Sequence, residues 1–177
     1  NLDNLNKKQF YNIDVNDFDA MSLLFKKYKF DYVFHYAAIV GVKRTLSKPL
    51  LVLEDIQGFR NIFHLSCTYK VKRIFFSSSS EVYGEPVQMP QNEDSTPLNS
   101  KLPYAVVKNI GEAFCRSYFE EKKLNYTIFR FFNTYGPRQS TDFVISKFIY
   151  KARKNKNIDI NGNGNQSRTF CYIDDNI

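Results

Sequence analysis

Blocks of apolar and polar residues alternate along this chain with the spacing of strands and helices. Nearly continuous apolar runs, which are typical of strands buried on both faces, occur at residues 31–38 and 125–132. Together with shorter runs, the pattern predicts strands at residues 9–13, 31–38, 72–78, 125–132, 158–160 and 169–173. It predicts helices after a capping Asp17 and over residues 49–69, 104–122 and 143–155.

This alternation indicates an α/β fold, in which a parallel sheet carries helices on both faces. A polar, proline-bearing loop is expected at residues 85–103. Open α/β sheets bind ligands at the carboxyl ends of their strands. Four consecutive serines, residues 77–80, stand at the end of a predicted strand. The candidate site is therefore expected at this edge of the sheet.

The composition narrows the class of protein. The 177 residues suffice for one domain with a continuous core, and 43% of them are hydrophobic, which is too many for a disordered chain. No apolar run reaches the length of a membrane span, and the first nine residues hold no apolar signal core. The three scattered cysteines argue against a disulfide framework. We therefore expect a cytoplasmic protein that does not contact a membrane.

The net charge of +7 raises the question of nucleic-acid binding. The lysines are spread along the chain, and no pure basic run exceeds two residues. We therefore expect no nucleic-acid partner, whereas anionic small substrates would suit this surface. His35 lies in an apolar run and His64 in a predicted helix, without the spacing of metal ligands, so no metal site is expected.

Tyr104 and Lys108 form the strongest candidate for chemistry. A spacing of four residues places both on one helical face. A nearby ammonium favours the phenolate and is expected to lower the tyrosine pKa, so the pair can act as a general base for an alcohol proton. Ser79 lies 25 residues earlier at a strand end and can hydrogen-bond both the phenol and a substrate hydroxyl. Without this context, an exposed helical pair would be the simpler interpretation.

Six motifs then occur in the order and spacing of a known family. They are Asp14-Val15, FHYAA at residues 34–38, SSSSEVYG at residues 77–84, YAVVK at residues 104–108, RFFNTYGP at residues 130–137 and RTFCYIDD at residues 168–175. With them, the chain resembles the extended short-chain dehydrogenase/reductases that act on nucleotide sugars. The resemblance implies a Rossmann-like fold, NAD as the cofactor and a nucleotide sugar as the substrate.

The resemblance also implies a role for individual residues. It assigns catalysis to Ser79, Tyr104, Lys108 and Glu81. It assigns cofactor binding to Asp14, Val15, Tyr36, Ala37, Ala38, Ser77, Tyr104, Lys108, Phe131 and Phe132. It assigns substrate binding to Ser79, Ser80, Glu81, Asn133 and Arg168, and the planar guanidinium of Arg168 suits a diphosphate.

The implied reaction passes through a 4-keto sugar, whose fate defines the enzyme. Return of hydride to the other face gives a 4-epimer, and loss of carbon dioxide from a uronic acid gives a pentose; these two outcomes stay open. A 4,6-dehydratase is less favoured, because such enzymes carry an Asp-Glu pair where this chain has Ser80-Glu81. A catalytically inactive binding module is the alternative class, against which the joint presence of Ser79, Tyr104 and Lys108 argues.

Two departures from the family pattern stand out. Asp55 replaces the usual asparagine three residues before Gly58, which puts a structural hydrogen bond in question. No glycine-rich dinucleotide fingerprint precedes Asp14. We therefore expect a fragment that lacks the first two strands and most of the substrate domain, and that by itself binds NAD weakly or not at all. Its expected parts are residues 1–135, a partial NAD-binding domain, and residues 136–177, the start of a substrate-binding region.

The resemblance further implies a homodimer of the full-length protein. Family members often pair through two long helices, here residues 49–69 and 104–122. Four phenylalanines on these helices are candidates for the shared face, although a place in the core is equally open: Phe59, Phe63, Phe114 and Phe119.

Overall fold

The computed structural model describes residues 10–160 and 162–177. Its main strands are β1 (Tyr32–His35), β2 (Arg73–Ser79) and β3 (Asn125–Phe131), with the short strands β4 (Asn133–Tyr135) and β5 (Phe170–Tyr172). Its helices are α1 (Phe18–Tyr28), α2 (Val42–Ser47), α3 (Pro49–Leu53), α4 (Asp55–Thr68), α5 (Pro103–Lys122), α6 (Val144–Arg153) and α7 (Ile173–Asn176). A 3₁₀ helix, Ser80–Tyr83, follows β2.

The three main strands form one parallel sheet in the order β1-β2-β3. The predicted parallel α/β fold is therefore confirmed, and each main strand lies within its predicted range, apart from a one-residue extension of β2. Strands β4 and β5 pair separately, also in parallel. The carboxyl end of β2 lies between its two neighbours, with Ser79 opposite Phe131 of β3.

Two predicted strands are wrong, and one predicted helix is divided. Residues 10–13 and 158–160 lie in irregular structure, because an apolar run forms a strand only where a neighbouring backbone completes its hydrogen bonds. Residue 9 lies outside the described residues. The helix predicted at residues 49–69 is observed as α3 and α4. Between them the Glu54 N–H donates to Leu51 O, three residues earlier, at 3.2 Å, which closes a tighter turn than an α-helix has.

The buried core lies on the sheet face toward α1, α4 and α5. Alternation along β2 points Ile74 and Phe76 into this core. The opposite face carries a ladder of aromatic rings, in which Phe34 is 61% exposed and stacks on Phe75 with a centroid distance of 4.4 Å. Within the described chain, the buried hydrophobic side chains all lie between residues 21 and 124. The core thus supports the β2 and α5 region.

Strands β4 and β5 and helix α7 contact one another in the last part of the described chain. Asn133 Nδ2 donates to Thr169 O at 2.9 Å, and Asn176 Nδ2 donates to Thr134 Oγ1 at 2.7 Å. The expected division between residues 135 and 136 stays a prediction. Across the described ranges, no helix combines the length and apolar character needed to cross a bilayer.

Candidate active site

The carboxyl end of β2 and the first turns of α5 build the candidate site. β2 ends at Ser79, and the 3₁₀ helix begins at the next residue. Ser79 Oγ accepts the Glu81 N–H at 3.2 Å. Pro103 opens α5, where its missing N–H costs no helical hydrogen bond. α5 then packs along β2, so Tyr104 and Lys108 face the strand end.

Tyr104 is half-buried and packs against the core, and Ser79 lies close enough to its hydroxyl to affect the tyrosine pKa. Burial raises the pKa of Tyr104, and the negative charges of Glu81 and Asp55 add to this effect, whereas the Ser79 hydroxyl lowers it. The expectation of a lowered Tyr104 pKa is therefore wrong for this structure. Burial and two nearby carboxylates together outweigh the favourable effects on the phenolate.

Lys108 points into the protein and is only 2% exposed. Its ammonium donates to Ser77 O at 2.7 Å, and its Nζ lies 5.8 Å from the Tyr104 ring centroid. Burial lowers the pKa of Lys108 to about 8, while the Asp55 charge opposes this shift. Lys108 is thus held against the strand end, with a pKa near the working range of a proton-transfer site.

Asp55 retains the hydrogen bond that its replacement of asparagine put in question. Its Oδ2 accepts the Ile39 N–H at 3.0 Å, so a carboxylate oxygen does here what an amide oxygen would do. Burial raises the pKa of Asp55, the Ile39 hydrogen bond opposes it, and Lys108 lowers it. The substitution therefore brings a negative charge to the site without breaking the contact.

His35 lies beneath the site as a buried, neutral side chain. Its ring meets Phe59 edge to face at 5.4 Å and stacks on Phe76 at 6.0 Å. Burial lowers the pKa of His35 to about 4, and the Lys108 charge adds to this shift. The described residues contain no group of three His, Cys, Asp or Glu side chains placed to hold a metal ion.

Sequence reasoning missed a buried ion pair next to these residues. Glu112 is fully buried, and both of its oxygens are bound by Arg130, at 2.9 Å from Nε and 2.8 Å from Nη2. Ser78 Oγ also donates to Glu112 at 2.7 Å. The sequence does mark the position of Glu112, which continues the four-residue spacing of Tyr104 and Lys108, but it does not mark the pairing with Arg130.

Apart from those at the end of β2, the residues that the resemblance assigns to NAD binding lie in two regions, one beside α4 and one beyond β1. Val15 packs against Gly58 at the start of α4 and, through its carbonyl, accepts Asn61 Nδ2 at 2.9 Å, while the neighbouring Asp14 carboxylate is exposed. Past β1, Tyr36 meets Phe131 edge to face at 5.9 Å.

This set of groups fits a dinucleotide in its chemistry. An exposed carboxylate can accept from an adenine amino group, the small Ala37 and Ala38 leave room beside the backbone, and Phe131 and the exposed Phe132 offer aromatic surface. The remaining assigned residues lie in two other segments of the chain. Ser80 and Glu81 begin the 3₁₀ helix, while Asn133 and Arg168 belong to the β4–β5 unit. Arg168 is exposed and donates to Ser167 O at 2.8 Å.

A parallel sheet that gathers a serine, a tyrosine and a buried lysine at the end of its central strand defines a Rossmann-like domain of the short-chain dehydrogenase/reductase class. The chain belongs to the NAD dependent epimerase/dehydratase family, whose model matches residues 1–177. The fold and the expected family are therefore confirmed.

The relatives that the chain matches include proteins named for different reactions. The chain is 34% identical, over 94% of its length and 52% of the relative's, to UDP-glucuronate 4-epimerase from Thermodesulfobacterium geofontis. It is 37% identical, over 93% of its length and 53% of the relative's, to UDP-N-acetyl-alpha-D-glucosaminuronate decarboxylase from Bacillus cytotoxicus. The structure matches the crystal structure of UDP-glucose 4-epimerase from Thermotoga maritima with UDP-glucose, with a TM-score of 0.91, 29% identity, and coverage of 98% of this chain and 58% of that chain.

The chain spans about half the length of the curated relatives it matches. These relatives include epimerases, a decarboxylase and dTDP-D-glucose 4,6-dehydratases at similar levels of identity. Similarity to these relatives therefore identifies the family of NAD-dependent nucleotide-sugar enzymes and leaves the type of reaction open.

Proposed function

We propose that the full-length protein to which this chain belongs is an enzyme that modifies a nucleotide sugar through a transient 4-keto sugar, with NAD as its cofactor. One observation carries the proposal: Tyr104, Ser79 and the buried Lys108 converge at the carboxyl end of β2. The relatives named as epimerases and decarboxylases of UDP-sugars support the substrate class.

The chain's residues would hold the cofactor at both of its ends. Asp14 and Val15 would take the adenine end, and Tyr36, Ala37 and Ala38 would line the path along the ends of the strands. Ser77, Lys108, Phe131 and Phe132 would surround the nicotinamide end. When bound, NAD supplies a reversible hydride acceptor for C4 of the sugar.

Tyr104 accepts the proton of the C4 hydroxyl as C4 is oxidised, and it returns a proton when C4 is reduced. Ser79 orients that hydroxyl and donates a hydrogen bond to the oxygen where charge develops. Lys108 provides a positive charge within one helical turn of the phenolate. A raised pKa makes the Tyr104 phenolate a stronger base for the C4 proton and makes the Tyr104 hydroxyl a weaker acid for the return of that proton.

The residues that the resemblance assigns to the substrate would determine which nucleotide sugar enters and which reaction the oxidised sugar undergoes. Glu81 is exposed beside Ser80 at the start of the 3₁₀ helix, where it faces away from the core. We assign contact with the substrate to Ser80 and Glu81. Asn133 and Arg168 would bind the diphosphate side of the nucleotide sugar. Since Ser80 stands where a dehydratase acid is expected, we favour an epimerase or a decarboxylase.

The deciding experiment uses the full-length protein with UDP-glucose, UDP-glucuronate and their N-acetyl relatives. Products are identified by mass spectrometry and NMR. A product lighter by carbon dioxide identifies a decarboxylase, and a product of unchanged mass with a new sugar spectrum identifies an epimerase. Purified protein that contains no NAD and converts none of these sugars would support the binding module instead.

We also propose that the full-length protein is a cytoplasmic homodimer that pairs through α4 and α5. Phe59 and Phe63 are fully buried in the core, which is one of the two places that the sequence left open for them. Phe119 is 38% exposed, whereas Phe114 is half-buried, where it meets Phe59 and Phe63 and stacks on Tyr118. Light scattering of the full-length protein tests this state, and a monomer at all concentrations would contradict it.

A further inference from the structure

We propose that Arg130 and Glu112 are positioning residues, whose buried ion pair holds the segment 84–102 and the end of β2 in place against α5. The expected effect on turnover rests on the proposed function, whereas the effect on the segment does not. Neither residue is placed at the reacting atoms. Each is argued to act through the elements that carry Ser79 and Tyr104.

Glu112 ties α5 to two strands at once. Its side chain is fully buried and binds Arg130 of β3 through two parallel hydrogen bonds, at 2.9 and 2.8 Å. It also accepts from Ser78 of β2 at 2.7 Å, and Ser78 directly precedes Ser79. Although burial alone would raise the Glu112 pKa, the hydrogen bonds from Arg130 and Ser78 hold it below its usual range. The carboxylate is thus charged and fully partnered.

The other side of the same guanidinium reaches the segment 84–102. Arg130 Nη1 donates to Tyr83 Oη at 2.9 Å and to Glu93 O at 3.0 Å, and its Cζ lies 5.0 Å from the Tyr83 ring centroid. Tyr83 ends the 3₁₀ helix that begins directly after Ser79. One side chain of β3 therefore contacts α5, the 3₁₀ helix and the segment 84–102.

The segment 84–102 covalently joins the two halves of the site. It begins after Tyr83, four residues beyond Ser79, and ends immediately before the proline that opens α5 and leads to Tyr104. The Glu93 backbone carbonyl is anchored near its middle. Along α5, Tyr104, Lys108 and Glu112 follow one another at intervals of four residues on the face toward β2. Loosening the pair would free both the segment and the helix face to shift relative to Ser79.

The test compares two arginine-to-lysine substitutions in the full-length protein. Arg130→Lys keeps the charge beside Glu112, but a single ammonium lacks the fork that reaches Glu112, Tyr83 and Glu93 together. Arg116→Lys is the matched control, because Arg116 also contacts Glu112, at 3.3 Å, yet is half exposed and makes no described contact with the segment. Hydrogen exchange of residues 84–102 and steady-state kinetics are measured for both.

We expect Arg130→Lys to exchange faster across residues 84–102 and to lower kcat by at least about tenfold, because small displacements of catalytic groups have large effects on rate. KM for the nucleotide sugar and NAD affinity should change much less, and Arg116→Lys should match the wild type. Should Arg130→Lys fail to fold, Tyr83→Phe removes only one arm of the cluster and should move both measurements in the same direction.

The two readouts separate this inference from the proposed function. Wild-type protein that converts no nucleotide sugar would count against the proposed function, while the exchange data would still decide the role of the pair. Unchanged exchange in Arg130→Lys and Tyr83→Phe would overturn the inference. So would unchanged kcat in these variants of an active enzyme.

Discussion

Tyr104 is the residue on which the proposed chemistry depends, and its role can be tested directly. In the full-length protein, Tyr104→Phe should reduce kcat by at least about a hundredfold, since it removes the group that transfers the C4 proton. NAD binding should persist, because the ring and Lys108 remain. Steady-state assays with cofactor titration measure both effects.

Tyr118→Phe is the matched control for this prediction. It makes the same substitution on the same helix, away from Ser79, and should retain wild-type turnover. Equal turnover in Tyr104→Phe and wild type would reject Tyr104 as the base.

The negative charge of Asp55 leads to a prediction about the pH dependence of turnover. Asp55→Asn keeps an oxygen to accept the Ile39 N–H but removes a negative charge that raises the pKa of both Tyr104 and Lys108. Both pKa values should fall, because the phenolate becomes less costly and the ammonium less favoured. The acid limb of the kcat–pH profile of the full-length enzyme should therefore move to lower pH.

Asp19→Asn, an exposed substitution in α1, is the comparison for this measurement and should leave the profile in place. A shift of the Asp55→Asn profile toward higher pH would contradict the assigned sign.

At the scale of elements, the contact between α5 and β2 depends on a glycine. A Cβ at Gly111 would lie 2.1 Å from Phe76 Cζ, so helix and strand approach as closely as they do only because this position has no side chain. Gly111→Ala should lower the free energy of unfolding by about 1–3 kcal/mol, the usual cost of overpacking a core. Equilibrium unfolding in urea measures this decrease in the free energy of unfolding.

A double-mutant cycle tests whether the clash with Phe76 causes the loss of stability in Gly111→Ala. Phe76→Leu shortens the opposing side chain, so the cost of Gly111→Ala should shrink in that background. An equal cost in both backgrounds would mean that the helix backbone, and not Phe76, sets the effect.

The elements also show where local patterns succeed and where they fail. The main strands were predicted because they lie in nearly continuous apolar runs, and α5 was predicted because its pattern extends over about twenty residues. The apolar runs at residues 10–13 and 158–160 carry the same local signal, but a strand also needs a neighbouring backbone, and a run does not record its neighbours. The division at Glu54 reflects one tight turn inside an otherwise continuous helical pattern.

At the scale of the whole molecule, stability should be distributed unevenly. The described core spans residues 21–124, whereas residues 133–177 rest on the short β4–β5 pair and a few polar contacts. Amide hydrogens of β4, β5 and α7 should therefore exchange through local opening, faster than those of β2 and α5, which should require global unfolding. Native-state hydrogen exchange in low urea measures the difference.

Uniform exchange free energies along the chain would contradict this view and would indicate a single cooperative unit. A break near residue 135, by contrast, would support the predicted division of the chain.

The sequence by itself determined the parallel α/β fold, the family and the grouping of Ser79, Tyr104 and Lys108, because strand ends and a four-residue helical spacing are local properties. Only the tertiary structure decided the charges around that group. The pKa of Tyr104 rises because burial and two carboxylates from other segments act on it. The Glu112–Arg130 pair joins residues 18 positions apart in the chain. Burial and long-range contacts arise from how the elements pack, and no local pattern of residues encodes them.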